Sequence, residues 1–355
     1  MPGRLARYIG GGVLRAIIVV TAVLTGLYLS VDLVREAADM AGGYGALQVA
    51  GFLLRTAPAR LYDLYPFAAL IGVMLALAAL SARGELVAMR AAGFDRDRIS
   101  VSAIAVALLL GAVVMLLGET IAPRLELGAR IDRERALDRE LGSGAGPSLW
   151  IRDGERMVHA GLVAWRGDER VVFGDLRIYS LSAIDRFETI WYAGSARHAG
   201  DRWLLRDAVA VDPETGRARR YRGEHALLSE LDPDVFRALA TRPRLLPIAD
   251  IARIRAHLEA NGQEAVAYRQ AFWRRVLYPV NLLAMLFSGV ALLLRAGRAL
   301  PPALGVFAGV SLGIGFVVVH RLVLGLAPVL PIPFGVTHVL PAAVFAVLGV
   351  WLVRR

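Results

Sequence analysis

The sequence predicts an α-helical integral membrane protein of about six transmembrane helices, with an antiparallel β-sandwich inserted between the third and the fourth. Three observations carry that class. Of 355 residues, 56% are hydrophobic and yet 20% are charged, a mixture a soluble core cannot absorb unless the apolar surplus is segregated. The surplus lies in runs of about twenty residues almost free of charge, long enough as helix to cross a ~30 Å hydrocarbon layer. Between two groups of such runs, the long stretch from Pro123 to Arg275 holds short alternating segments separated by Gly and Asp, the pattern of strands and tight turns.

The first span is Val13 to Val34, preceded by Arg4 and Arg7 and carrying Arg15 near its start. It is too long for a signal peptide, and no A-x-A cleavage site closes it. Further spans fit Leu64 to Leu80, Ile99 to Ile121, Val276 to Leu294, Ala303 to Leu324 and Val336 to Val353. Arginines mark one side of this set. Arg83, Arg90, Arg96 and Arg98 lie between spans two and three, Arg295 and Arg298 between four and five, and Arg354 and Arg355 at the end. The positive-inside bias places these segments, and both termini, in the cytoplasm. The Arg35 to Arg60 connection, tempered by Glu36, Asp39 and Asp63, and the Ala327 to Gly335 turn fall on the other side. Parity then puts the long insertion outside the cytoplasm. Three blocks follow: 1–122 with spans one to three, 123–271 as the inserted domain, and 272–355 with spans four to six.

Within the insertion, Pro123 to Leu141 is charged and helical in pattern, and Gly142 to Pro147 makes a flexible joint. Strands are expected at Ser148 to Arg152, Arg170 to Phe173, Leu176 to Tyr179 and Arg202 to Arg206, with turns at Asp153-Gly154, Gly167-Asp168 and Gly200-Asp201. Ile248, Ile251, Ile254 and Leu258 then repeat at helical spacing up to a stop at Asn261-Gly262. The inserted sheet is thus carried on two struts.

Composition removes several chemistries. The chain has no cysteine, and all 41 of its Lys+Arg residues are arginine. Thiolate metal sites, disulfides, P-loop nucleotide hydrolysis and lysine Schiff bases are therefore excluded. The six histidines include no His-Glu-x-x-His pair, so no metal site is expected. No Gly-x-Ser-x-Gly elbow occurs either. No cofactor is expected. The net charge of +10 is spread beside apolar runs, which suits lipid headgroups and not nucleic acid.

The connector from 82 to 96 is the most informative segment. Leu86, Met89 and Arg90 recur at helical spacing, Gly93 stands where a helix would stop, and Phe94 follows as an exposed-loop aromatic. Two readings stand: a short amphipathic helix resting in the interface, or a coupling helix that inserts into a cytoplasmic ATPase with Glu85 as its charged contact. The second is preferred. It would engage Arg83, Glu85, Leu86, Met89, Arg90, Gly93 and Phe94.

This connector resembles the loop between the second and third spans of the LptF/LptG family of lipopolysaccharide-export permeases. So do Arg7-Tyr-Ile-Gly10, Gly118-Glu-Thr-Ile-Ala-Pro123, Leu149-Trp-Ile-Arg-Asp-Gly154, Phe272-Trp273 and Pro279, which look more like the LptG branch than the LptF branch. The resemblance runs through nearly the whole chain. It implies a Gram-negative inner-membrane location, a periplasmic β-jellyroll, and no catalytic residues in this chain. The implied partners are an LptF-like permease subunit, an LptB-like ATPase dimer, LptC-like and LptA-like periplasmic jellyroll proteins, and lipopolysaccharide. The missing lysine agrees: the energy must come from a partner.

Arg35, Arg55, Arg60 and Arg321 lie near the outer interface, where guanidinium forks suit phosphorylated sugars and equally serve as snorkelling anchors. Arg35 ranks first because it closes span one, which lines the lateral gate in the family. There the family often has two consecutive basic residues, whereas here Glu36 follows. Leu64 and Phe67 would meet acyl chains. Gly305, Gly309 and Gly313 form a small-xxx-small series, explained by close helix packing or by a mobile gate helix. His320 beside Arg321 would suggest a proton relay only with a nearby carboxylate, and Glu119 alone is placed for one. Two other classes remain. A MacB-like or FtsX-like mechanotransmission permease shares such a coupling loop but has fewer spans, and an intramembrane lipid-modifying enzyme needs clustered acids or histidines at one depth.

Overall fold

The computed structural model describes residues 2–40, 43–137, 149–153, 155–166, 170–181, 187–199, 202–228, 243–260, 262, 265–295, 301–326 and 334–354. Its helices are α1 (Pro2–Ala38), α2 (Ala46–Ala82), α3 (Glu85–Ala91), α4 (Arg96–Thr120), α5 (Ala122–Ala136), α6 (Ile248–Ala260), α7 (Val266–Val276), α8 (Tyr278–Arg295), α9 (Pro302–Leu326) and α10 (Phe334–Arg354). The chain divides into two compact units, one made of Met1–Ala38, Leu53–Ala122 and Phe272–Arg355, the other of Asp39–Phe52 and Pro123–Ala271. The expected joint at Gly142 to Pro147, the turn residues Gly154, Gly167-Asp168 and Gly200-Asp201, the stop residue Asn261 and most of the Ala327 to Gly335 turn lie outside the described residues.

The first unit is a helical bundle. Among the described residues, α1, α2, α4, α8, α9 and α10 are the six helices long and apolar enough to cross a membrane. Their outer faces carry exposed large apolar side chains, Val19, Val23 and Leu27 on α1, Leu109 and Leu116 on α4, Phe307 and Ile314 on α9. Water would not tolerate such faces; lipid does.

At the centre is α2, which buries Tyr65, Leu70, Val73, Met74 and Leu77. Small residues let its neighbours approach. A Cβ on Gly72 would stand 2.7 Å from Ile17 Cα of α1, one on Gly289 of α8 2.5 Å from Leu70, and one on Gly305 of α9 2.7 Å from the Ala78 Cβ. In α2 the helix begins at Ala46, not near Leu64, so Arg55 and Arg60 are helical residues and not part of a loop. Pro58 and Pro66 lie inside it without ending the helix; the Tyr62 carbonyl, four residues before Pro66, accepts from the Tyr278 hydroxyl at 3.2 Å.

The second unit holds an antiparallel sheet of β1 (Leu149–Asp153), β2 (Arg156–Arg166), β3 (Arg170–Leu181), β4 (Phe187–Ala199), β5 (Arg202–Arg206), β6 (Val209–Val211), β7 (Ala218–Arg220) and β8 (Glu224–Leu228). The hydrogen-bonded order is β1-β2-β3-β4-β5-β8, with β6 also on β4 and β7 on β6. One edge of β4 is shared: Ile190 to Tyr192 pair with β6, and Ser195 to Ala199 pair with β5. Alternating residues Leu176 and Ile178, Trp203 and Leu205 are buried, as a sheet with one covered face requires. The turn after β6 closes on Asp212, whose carboxylate accepts from the backbone N–H of Glu214 at 2.9 Å and the Thr215 hydroxyl at 2.7 Å. In the same unit α6 buries Ile251, Ile254 and Leu258. Arg133 of α5 meets Asp39 at 2.5 Å, its guanidinium 5.6 Å from the Tyr44 ring.

Candidate functional site

The α3 connector is built by two left-handed glycines. Gly84 at φ 71° turns the chain out of α2, and Gly93 at φ 82° ends α3. After Met89 the chain closes as a paired cap, with the Gly93 N–H donating to Arg90 O at 3.0 Å and the Phe94 N–H to Met89 O at 2.9 Å. That cap folds the following apolar side chain back onto the last turn. Phe94 is accordingly only 3% exposed, which corrects its expected role as an exposed loop aromatic. Leu86 and Met89 are buried with it in the bundle core. These three side chains pack α3 against the bundle.

What α3 and its flank present outward is Arg83, Val87, Arg90 and Ala91. Glu85 stands between the two faces: its Oε1 lies 2.6 Å from Arg83 Nε, and the Tyr8 hydroxyl of α1 interacts with the same carboxylate. The carboxylate thus links α1 to the connector.

The four candidate arginines separate by their partners. Arg60 is 7% exposed, lies 3.2 Å from Asp32 and sits 5.0 Å over the Tyr28 ring. It is an internal ion-pair residue joining α1 to α2, its side chain turned into the bundle and not outward. Arg35 is exposed, with Asp32 one turn away at 3.8 Å. Arg55 is exposed on α2. Arg321 is exposed near the end of α9 and lines a cavity of about 220 Å³.

That cavity lies among α2, α7, α8 and α9 and is lined by Tyr62, Asp63, Phe67, Arg274, Asn281, His320 and Arg321, besides apolar groups. It brings together Phe67 and Arg321 of the expected substrate residues, whereas Leu64, Arg35 and Arg55 do not line it. Tyr62 stacks on Tyr278 with ring centroids 4.7 Å apart. Just outside, Arg275 Nη1 meets Glu119 Oε2 at 2.7 Å. Glu119 is therefore held by an arginine, and the His320 ring faces Phe316 and His338 instead. Gly305, Gly309 and Gly313 all face α2, against Ala78, Ile71 and Phe67. Among the described residues no cluster of metal-binding side chains occurs.

A family model described as lipopolysaccharide export system permease LptF/LptG matches residues 7–355. The chain belongs to the LptF/LptG family. It is 28% identical over 360 residues to the lipopolysaccharide export system permease protein LptG of Escherichia coli strain K12, covering 99% of this chain and 98% of that protein. It is 27% identical over 361 residues to the LptG of Haemophilus influenzae, covering 100% and 99%. For this LptF/LptG family member the match takes in both helical groups and the insertion between them.

Sequence reasoning missed Asp32, Arg274, Arg275, Tyr62 and Asn281 in this LptF/LptG chain. The adjacent Arg274-Arg275 just before a span was the available signal, since two cations beside a hydrocarbon segment need either water or partners.

Proposed function

We propose that this chain is the LptG-like permease subunit of an ABC-type exporter, drawing lipopolysaccharide from the inner membrane and handing it to a periplasmic bridge. The observation that carries this reading is the family match across residues 7–355, joined to a short helix whose inner face is locked into the bundle and whose outer face is free to dock. An LptB-like ATPase dimer would seat on Arg83, Glu85, Val87 and Arg90, with Gly93 setting the angle of α3. Leu86, Met89 and Phe94 would transmit its movement into the bundle. An LptF-like subunit would complete the cavity. Outer-face Arg35, Arg55 and Arg321 would meet phosphates, and Leu64 and Phe67 the acyl chains.

In this reading both termini are cytoplasmic and 123–271 is a periplasmic jellyroll on helical struts. Strands β1 and β8 each pair on one side only among the described residues, and such edges accept a further strand from LptC-like or LptA-like jellyrolls. The test is co-purification of the ATPase with the Glu85→Ala and Glu85→Arg variants, alongside lipopolysaccharide release from proteoliposomes. A desolvated charge pair loses ~2–5 kcal/mol on truncation, and Glu85→Arg adds repulsion. Full ATPase binding and full release by both variants would leave α3 as an interfacial helix and remove the coupling assignment.

A further inference from the structure

The arginines of the bundle fall into two groups, and the division locates a ligand. Arg60 and Arg275 are buried and each meets a carboxylate, Asp32 at 3.2 Å and Glu119 at 2.7 Å. Arg274 and Arg321 both line the 220 Å³ cavity, and among the described residues neither has a carboxylate partner within ion-pair distance. Arg274 acts electrostatically on both Tyr62 and His320, so its charge reaches both walls.

The same cavity holds a second anomaly. Tyr62 Oη, Asn281 Oδ1 and His320 Nδ1 are buried polar atoms with no hydrogen-bond partner, and all three residues line it. Native interiors pair such atoms almost without exception, because each one left alone is unfavourable. Two guanidiniums, a hydroxyl and an imidazole nitrogen able to donate, and an amide oxygen able to accept converge there, which describes a site for an anionic group that carries a hydroxyl. Asp63 also lines the cavity, so the two arginines and this carboxylate sum to one positive charge.

We infer that this cavity binds a phosphate ester, with Arg274 and Arg321 on the phosphate oxygens, the Tyr62 hydroxyl and a His320 N–H donating to them, and Asn281 Oδ1 accepting from a hydroxyl of the same headgroup. Forked guanidiniums match phosphate geometry. A volume of about 220 Å³ lies below that of sites for whole drug-sized ligands, so the occupant is a headgroup whose chains remain in the hydrocarbon. The assignment rests on the proposed function only for which lipid supplies the phosphate.

The test uses the full chain in nanodiscs, without ATPase, and reads retained lipid by native mass spectrometry. Three probes separate the sources: lipopolysaccharide, phosphatidylglycerol, and inorganic phosphate in phosphatidylcholine discs. The expected result is retention of at least one phosphorylated species over phosphatidylcholine. It should fall at least tenfold in Arg274→Ala/Arg321→Ala, and comparably in Asn281→Leu and Tyr62→Phe, variants that keep the charge. Arg98→Ala, at an exposed position elsewhere, should change nothing. Melting curves exclude unfolded variants, and Tyr62→Phe serves where Asn281→Leu fails to fold. Retention that depends on the arginines but survives both charge-neutral variants would mean interfacial anchoring, and would overturn the pocket. Equal loss with Arg98→Ala would do so too. Because no export is measured, failure of transport in the assembled complex remains a separate outcome.

Discussion

Arg275 is the residue whose truncation the bundle should tolerate least. Its side chain is 5% exposed against a Glu119 side chain at 13%, and removing one member of such a pair strands the other, typically at ~3–5 kcal/mol. Arg275→Ala should therefore lower the melting temperature sharply in detergent, whereas Arg35→Ala, with a side chain 73% exposed, should leave it nearly unchanged. Similar shifts for both would contradict the distinction between paired and interfacial arginines. A second residue, Asp212, tests the β unit. Hydrogen bonds from the Thr215 hydroxyl and the backbone N–H groups of Thr215 and Glu214 hold its carboxyl below the usual range. A depressed native value adds stability above the unfolded value and loses it as pH falls through the native one. The melting difference between the native chain and Asp212→Asn should be greatest near neutral pH and shrink toward acid; growth toward acid would refute the assignment. Arginine bias along the sequence gives each loop an expected side. It said nothing about Asp32 or Glu119 as partners, because a pairing across 28 or 156 positions leaves no local pattern.

At the level of elements, the α9 seam makes a prediction with a reversed sign. Alanine is ordinarily better than glycine inside a helix by up to ~1 kcal/mol, and Gly11 has open space where a Cβ would go. Gly11→Ala should be neutral or mildly stabilising. At Gly305 the new Cβ meets the Ala78 Cβ at 2.7 Å and Met74 O at 3.1 Å, groups fixed by α2 backbone, so Gly305→Ala should cost ~1–3 kcal/mol through overpacking. Thermal unfolding of both variants checks it, and equal behaviour would mean the seam is loose. Helices were readable because twenty apolar residues admit few alternatives. Strands were less so: β2 and β4 carry Ala, Gly, His and Arg among their apolar positions, which weakens both alternation and β-propensity. The β3 strand was read as two pieces because Gly174-Asp175 resembles a turn, yet Gly174 pairs with both Leu162 and Ser195. Neighbouring strands override that local preference. Phe94 was misplaced for a related reason: the glycine stop was legible, but the direction in which its cap throws the next side chain belongs to three dimensions.

For the molecule as a whole, arginine parity predicts that a reporter active only in the cytoplasm will light when fused after Arg355 and stay dark when inserted at Gly216, in the exposed turn between β6 and β7. The opposite pattern would invert the topology. The purified chain alone should not hydrolyse ATP, since no lysine is available for a P-loop; turnover that follows the chain through purification would contradict it. The glycine seam has a further consequence for motion of the whole bundle. Glycines four residues apart divide the α9 surface into equivalent notches about 6 Å apart along the axis, and the α2 residues seated in them, Ala78, Met74 or Ile71, and Phe67, are spaced unevenly, four and seven residues apart. A side chain seated in one notch passes to the next only in a discrete step, like a pawl on a rack, and resists the positions between. In a chain without cysteine, Gly305→Cys paired with Ala78→Cys or with Met74→Cys would report which tooth is engaged. A transport stroke through α9 should then appear as exchange between two cross-linking patterns, with no gradual spread across neighbouring pairs.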